Sequence, residues 1–295
     1  MQFGLNYGVS NSRGKVPFHE TKKIITKAAK LNVSLLDTAN YYGSSERIIG
    51  RALPKTHRFK IVTKTPISKT STLDNHFIND VKESFENSLN LLNQKSVYGI
   101  LVHHTKDILK PGGDQLIELL FDYKNQGFVK NIGVSVYNTQ EIKMVLKNFT
   151  PDIVQLPLNI LDQRFLKSGD IASLKMKGVK VHARSLFLQG ALLMATKDLP
   201  NYFNPVMDRF EAINNTAKDL QLTPLELCLL FGLQTEVDNL ITGVTTLNEL
   251  EMLKSAVSHI NTINPINLAK LALNDKAYIN PSFWPSFKNS FGSKK

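Results

Sequence analysis

The chain has 295 residues, a net charge of +11, 42% hydrophobic and 21% charged residues, which gives room for one large α/β domain with an ordinary globular composition. No apolar run reaches the roughly eighteen residues that span a bilayer, and the single cysteine, Cys228, excludes an internal disulfide. The lysines are dispersed along helix faces, as at Lys22, Lys23, Lys27 and Lys30, without interleaved aromatics, so the charge does not indicate a nucleic-acid partner.

Met1 leads into Gln2-Phe3-Gly4 without a basic and apolar leader, so a cytoplasmic location is expected. Short β-type runs then recur at Gln2–Leu5, Val33–Leu36, Lys60–Thr63, Tyr98–Val102, Lys130–Val134, Ile153–Leu156, Lys180–Ala183 and Leu240–Gly243. Between them apolar residues fall at helical spacing, as in Ile24, Ile25, Ala28 and Leu31, or Phe85, Leu89 and Leu92. Strands alternating with helices predict a parallel sheet covered on both faces. Eight such units predict an α/β fold of the (β/α)8 TIM-barrel type, a single domain over residues 1–295. An open doubly wound sheet is the alternative, but no G-x-G-x-x-G follows any strand. Residues 187–205 form a longer excursion. The segment from Pro265 onward is expected to lie over one end of the barrel, with residues 290–295 mobile.

The stretch Asp37-Thr-Ala-Asn-Tyr-Tyr-Gly-Ser-Ser-Glu46 changes character just beyond a strand. Gly43 permits a tight turn, and Ser44, Ser45 and Glu46 can open a helix. Read alone, it is an Asp that caps a helix and a Tyr that packs beside it. Other strand ends add Lys64, His103 followed by His104, Ser135, Gln155, Arg184 with Ser185, and Gly243 with Thr245. In a barrel these project into one mouth, where a carboxylate, an ammonium, an imidazole and a phenol have complementary chemistry. An ammonium lowers a phenol's pKa, a carboxylate holds the ammonium charged, and an imidazole donates a hydrogen bond to a substrate oxygen. His103-His104 lacks metal-ligand spacing, so no metal is expected. Gly8 to Lys15 is a poor match to a phosphate loop. Asn159 to Arg164 either shapes the mouth or orders its own loop.

These motifs, with the strand-ending Val62-Thr-Lys64, the strand Ile100-Leu-Val-His-His104 and the segment Gly127-Phe-Val-Lys-Asn-Ile-Gly-Val-Ser135, resemble the aldo-keto reductase family in order and spacing, across nearly the whole chain. The resemblance implies metal-free, NAD(P)H-dependent reduction of an aldehyde or ketone, with a sugar-derived carbonyl as one candidate. By position it implies a catalytic set of Asp37, Tyr42, Lys64 and His103, with Tyr42 as general acid. It places Ser135 and Gln155 at the nicotinamide carboxamide, and Ser185, Gly243, Thr245 and Thr246 beside the phosphates and adenosine.

The chain departs from the family at several points. Val136 replaces an Asn, and Arg184 stands where an aromatic stacks on nicotinamide, a place a guanidinium can also take. Thr246 replaces an Arg that often marks NADP preference. The chain also starts almost inside its first strand, which predicts weaker barrel closure. NADP(H) is nevertheless the expected cofactor, with NAD(H) the alternative, the basic surface and Lys254 attracting the 2′-phosphate. Two other readings remain open: a Schiff-base lyase or aldolase with Lys64 as nucleophile, and a non-catalytic subunit that senses the cofactor.

Overall fold

In a computed structural model, residues 1–285 are described. Seven strands form one parallel sheet in chain order: β1 (Leu35–Asp37), β2 (Lys60–Lys64), β3 (Val97–Val102), β4 (Val129–Ser135), β5 (Ile153–Pro157), β6 (Lys180–Arg184) and β7 (Asn239–Leu240). The helices are α1 (Phe18–Lys30), α2 (Ser45–Ala52), α3 (Asn75–Leu92), α4 (Gly113–Asn125), α5 (Thr139–Asn148), α6 (Arg164–Lys167), α7 (Asp170–Met176), α8 (Met207–Asp219), α9 (Pro224–Leu233), α10 (Leu247–Ile260) and α11 (Lys276–Ile279). Every strand pairing is parallel, as expected where a helix returns the chain to the same end of the sheet.

The helices follow their sequence pattern. In α1 the residues Thr21, Ile24, Ile25 and Ala28 are buried, while the lysines of the same helix face outward. Asp74 accepts a hydrogen bond from the Phe77 N–H to start α3, and Thr246 does the same from the Glu249 N–H to start α10. Cys228 is fully buried on α9, and burial pushes its thiol up to about 12, as in a packing residue rather than a nucleophile.

The sheet is curled. Gln155 on β5 donates a hydrogen bond of 2.8 Å to Asp37 on β1, although the two are 118 positions apart and three strands separate them in the ladder. Inside the curl, Val62, Leu101 and Ile153 pack together with Leu35 and Tyr98, filling the interior as in a barrel.

The run Gln2–Leu5, expected as the first strand, forms a turn in which the Gly4 and Leu5 N–H groups both donate to the Met1 carbonyl. Gly4 backs so closely onto the Tyr42 carbonyl that a Cβ there would lie 1.8 Å from it. Gln2 lies against Gly243, so the turn sits between the first and last strands. Of the run Leu240–Gly243 only Leu240 lies in a strand, β7 (Asn239–Leu240). Seven strands of the expected barrel are therefore formed, within one α/β domain. Residues 187–205 hold three short 3-10 turns, Leu188–Leu193, Thr196–Asp198 and Asn201–Val206. The expected mobile stretch 290–295 lies outside the described residues.

Candidate active site

The carboxyl ends of the strands open into a cavity of about 690 Å³, within the range of small-ligand sites. Asp37, Tyr42, His103, Ser135, Arg184, Ser185, Gly243 and Thr245 line it. Asn280, Pro281 and Ser282 line it too, so the C-terminal segment does cover the mouth.

Lys64 and Gln155 lie beneath this surface and act on Asp37. Lys64 Nζ donates to both Asp37 oxygens and to the Thr38 carbonyl, each at 2.8 Å. Gln155 Nε2 donates to Asp37 Oδ1. Burial pushes the Asp37 carboxyl up, but the Lys64 ammonium and the two amide and ammonium contacts outweigh it and hold the group below the usual range. Burial also pulls Lys64 down, against the opposing charge of Asp37. The remaining oxygen of the Gln155 amide, Oε1, is buried without a partner. A buried unpaired acceptor is costly, and a carboxamide N–H₂ is a group it can receive.

Tyr42 comes from the turn after β1. Gly43 takes φ of +59°, a conformation that side-chain-bearing residues avoid, and Ser44, Ser45 and Glu46 continue into α2. Glu46 is itself buried and accepts hydrogen bonds from Thr63 and Ser88, which anchors the turn to β2 and α3. The Tyr42 ring meets the His103 ring edge-on at 5.7 Å, and Lys64 Nζ lies 5.1 Å from the Tyr42 ring centroid. The expected lowering of the phenol by Lys64 is absent. All three ammonium donors point to Asp37 and Thr38, and burial together with the Asp37 charge pushes the phenol up. Burial, reinforced by Lys64, pulls His103 down to about 4, so its imidazole is neutral at neutral pH. Its Nδ1 has no partner.

Arg184, at the end of β6, lies with its guanidinium carbon 4.3 Å from the Tyr137 ring centroid and donates to the Val136 carbonyl at 3.2 Å. The ring it covers is thus one of the protein's own. Asn159 donates to the Ser185 carbonyl and accepts from the Leu161 and Asp162 N–H groups, and Arg164 grips Asp162 with two hydrogen bonds. The Asn159–Arg164 segment therefore orders its own loop and pins the end of β6.

Thr246 lines a second cavity of about 590 Å³ between the starts of α1 and α10, with Arg13, Lys15, His19, Glu20 and Glu251. It shares Arg13 and Thr245 with the first cavity. Lys254 is exposed on α10 and outside this lining. At the start of α10 the Leu247 N–H donates to Glu20 at 2.8 Å, and just before it Glu249 accepts from the Thr245 N–H and hydroxyl.

Strand-end reasoning missed Tyr7, Arg13 and Tyr137 in the main lining, whereas Gln189, expected from the loop after the seventh run, does line it. Tyr137 stands two residues past Ser135, within reach of the same rule. Tyr7, whose phenol burial pushes up to about 12, and Arg13 belong to a loop that only the closed fold brings to the mouth. Among the described residues no three His, Cys, Asp or Glu side chains cluster as metal ligands, and no helix is long and apolar enough to cross a membrane.

Known proteins share this architecture. The chain has a TM-score of 0.70 to the holo form of aldo-keto reductase AKR11C1 from Bacillus halodurans, at 19% identity, covering 88% of this chain and 89% of that one. The apo form gives 0.69 at 20% identity, covering 92% of each. The uncharacterized oxidoreductase YqkF of Bacillus subtilis strain 168 is 24% identical over 245 residues, 77% of this chain and 78% of that protein. Residues 1–267 match the aldo/keto reductase family, and with its curled parallel sheet and its polar strand ends gathered in one mouth, the chain belongs to that family.

Proposed function

We propose that the protein reduces an aldehyde or ketone to an alcohol with a nicotinamide cofactor, using Tyr42 as the proton donor. The observation that carries this reading is the Tyr42 phenol set edge-on to the neutral His103 imidazole above a closed Asp37–Lys64 pair. A reduced nicotinamide, when bound, supplies the hydride. Ser135 and Gln155 would hold its carboxamide, the buried Gln155 Oε1 being the acceptor such a group needs. Ser185, Gly243, Thr245 and Thr246 would hold the rest along the strand ends. Arg13, Lys15 and His19 beside Thr246 favour a 2′-phosphate and hence NADP(H) over NAD(H); Glu20 and Glu249 oppose it.

The chain's own groups then perform the acid chemistry. The raised pKa keeps the Tyr42 hydroxyl protonated until charge develops on the carbonyl oxygen, whose proton affinity then exceeds that of the phenolate. Neutral His103 donates a hydrogen bond to the same oxygen and orients it. Lys64 and Asp37 fix each other and present an ammonium to the Tyr42 ring. A Schiff-base role for Lys64 conflicts with a side chain only 1% exposed and an ammonium held by a carboxylate, since the nucleophile must be a free amine.

Titration with NADPH and NADH, followed by a carbonyl panel with the tighter cofactor, tests the reading. Cofactor oxidation that depends on the carbonyl is expected. Tight cofactor binding with no turnover across the panel would instead support the sensing subunit.

A further inference from the structure

We infer that the carbonyl substrate is an anion, and that a carboxylate or phosphate on it docks against the guanidinium of Arg184. The inference rests on the reductase reading and extends it to the class of substrate.

Arg184 lines the catalytic cavity and is half-buried, yet among the described residues it has no ion-pair partner. Its contacts are neutral: the Tyr137 ring, the Val136 carbonyl and, at 3.5 Å, the Ser185 hydroxyl. A partly desolvated cation without an anion is costly, and a guanidinium has five donors in a fixed fork. The two carboxylates of the cavity cannot serve it. Asp37 is bound by Lys64 and Gln155, and Glu249 by the Thr245 N–H and hydroxyl. With those negative charges already satisfied, Arg184 is an unmatched positive charge close enough to act on both Tyr42 and His103.

The cation is also held in place. The Arg184 carbonyl accepts from the Leu158 N–H at 2.9 Å, and Asn159 donates to the Ser185 carbonyl. Ser185 takes φ of +65°, a conformation that is strained for a residue with a side chain. Together with the Tyr137 ring, these contacts set the guanidinium in advance of binding, so little order is lost when an anion arrives. Guanidinium forks match carboxylate and phosphate oxygens.

Two sources of that anion are available: the substrate itself and the cofactor's phosphates. Paired probes separate them, succinic semialdehyde against butanal and glyceraldehyde 3-phosphate against glyceraldehyde. In the wild type kcat/KM is expected to favour the charged member of a pair by about tenfold or more. Arg184→Met should bring that ratio close to one, Arg184→Lys should restore part of it, and added salt should lower it in the wild type. A wild-type ratio near one, or a ratio unchanged in Arg184→Met, overturns the inference and leaves the reductase standing. A tenfold loss of cofactor affinity in Arg184→Met with the ratio intact assigns Arg184 to the cofactor and overturns it as well. If no carbonyl is turned over, calorimetric titration with succinate decides. Succinate binding that Arg184→Met abolishes would overturn the reductase reading but support an anion site, and no binding to the wild type would overturn both.

Discussion

Lys64 Nζ lies 2.8 Å from each carboxylate oxygen of Asp37, with the lysine side chain 1% and the aspartate side chain 11% exposed. The pair joins neighbouring strands beneath the mouth. Removing one member of such a pair strands the other as a buried charge. Lys64→Met is therefore expected to cost about 3–5 kcal/mol. The double variant Asp37→Asn with Lys64→Met should cost less than Lys64→Met alone, because no charge remains unpaired. Chemical denaturation of the three proteins checks this, and equal costs for the single and double variants would contradict it.

Tyr42→Phe keeps the ring against His103 and removes only the hydroxyl. Loss of a positioned acid is expected to slow single-turnover reduction by roughly 10²–10⁴, or about 3–5 kcal/mol of transition-state stabilisation. Cofactor affinity should be nearly unchanged, and circular dichroism should report a native fold. A folded variant that keeps more than about a tenth of the wild-type rate would sink the assigned role.

His182 is buried and His103 half-buried, and desolvation pulls each down to about 4, below the value of about 6.5 for a free imidazole. The unfolded chain therefore binds protons that the folded chain rejects. The stability tied to these neutral rings is full above about pH 6.5 and is lost as the pH falls from there toward 4. Both ring nitrogens of His182 also lack partners. His182→Leu is expected to raise stability at neutral pH by about 1 kcal/mol and to flatten part of the acid slope. Denaturant midpoints across this pH range provide the comparison, and an unchanged slope would count against the buried neutral ring as its source.

Cofactor selection should turn on α1 and the loop before it. Glu20 occupies the Leu247 N–H at the start of α10, where that helix end would otherwise attract an anion. Glu20→Gln removes a negative charge beside any 2′-phosphate, and Arg13→Gln removes a positive one. The ratio of NADPH to NADH affinity is expected to rise several-fold in the first variant and fall several-fold in the second. Fluorescence titration of both cofactors measures it. Parallel shifts for the two cofactors would show that neither residue reads the 2′-phosphate.

Much of this molecule follows from local sequence. The runs at β2 through β6 are short segments rich in Val, Ile and Leu, and each forms within one residue of its expected bounds. Because the last residues of such strands face the mouth, Asp37, His103, Ser135 and Arg184 could be placed there from their positions alone. Tertiary structure decided the pairings. The hydrogen bond from Gln155 to Asp37 exists only because the sheet curls, and the turn of Gln2–Leu5 is set by the backbone of Gly4 against the Tyr42 carbonyl. Pairing of β1 with β2 directs all three Lys64 donors to Asp37 and Thr38, which leaves the Tyr42 phenol raised, and the packing of β4 and β6 brings Arg184 over Tyr137 without a carboxylate. Hydrophobic periodicity is a property of neighbours along the chain and specifies strands and helices. The partners of a polar group depend on which distant strands meet across the interior, and that is fixed only when the sheet closes.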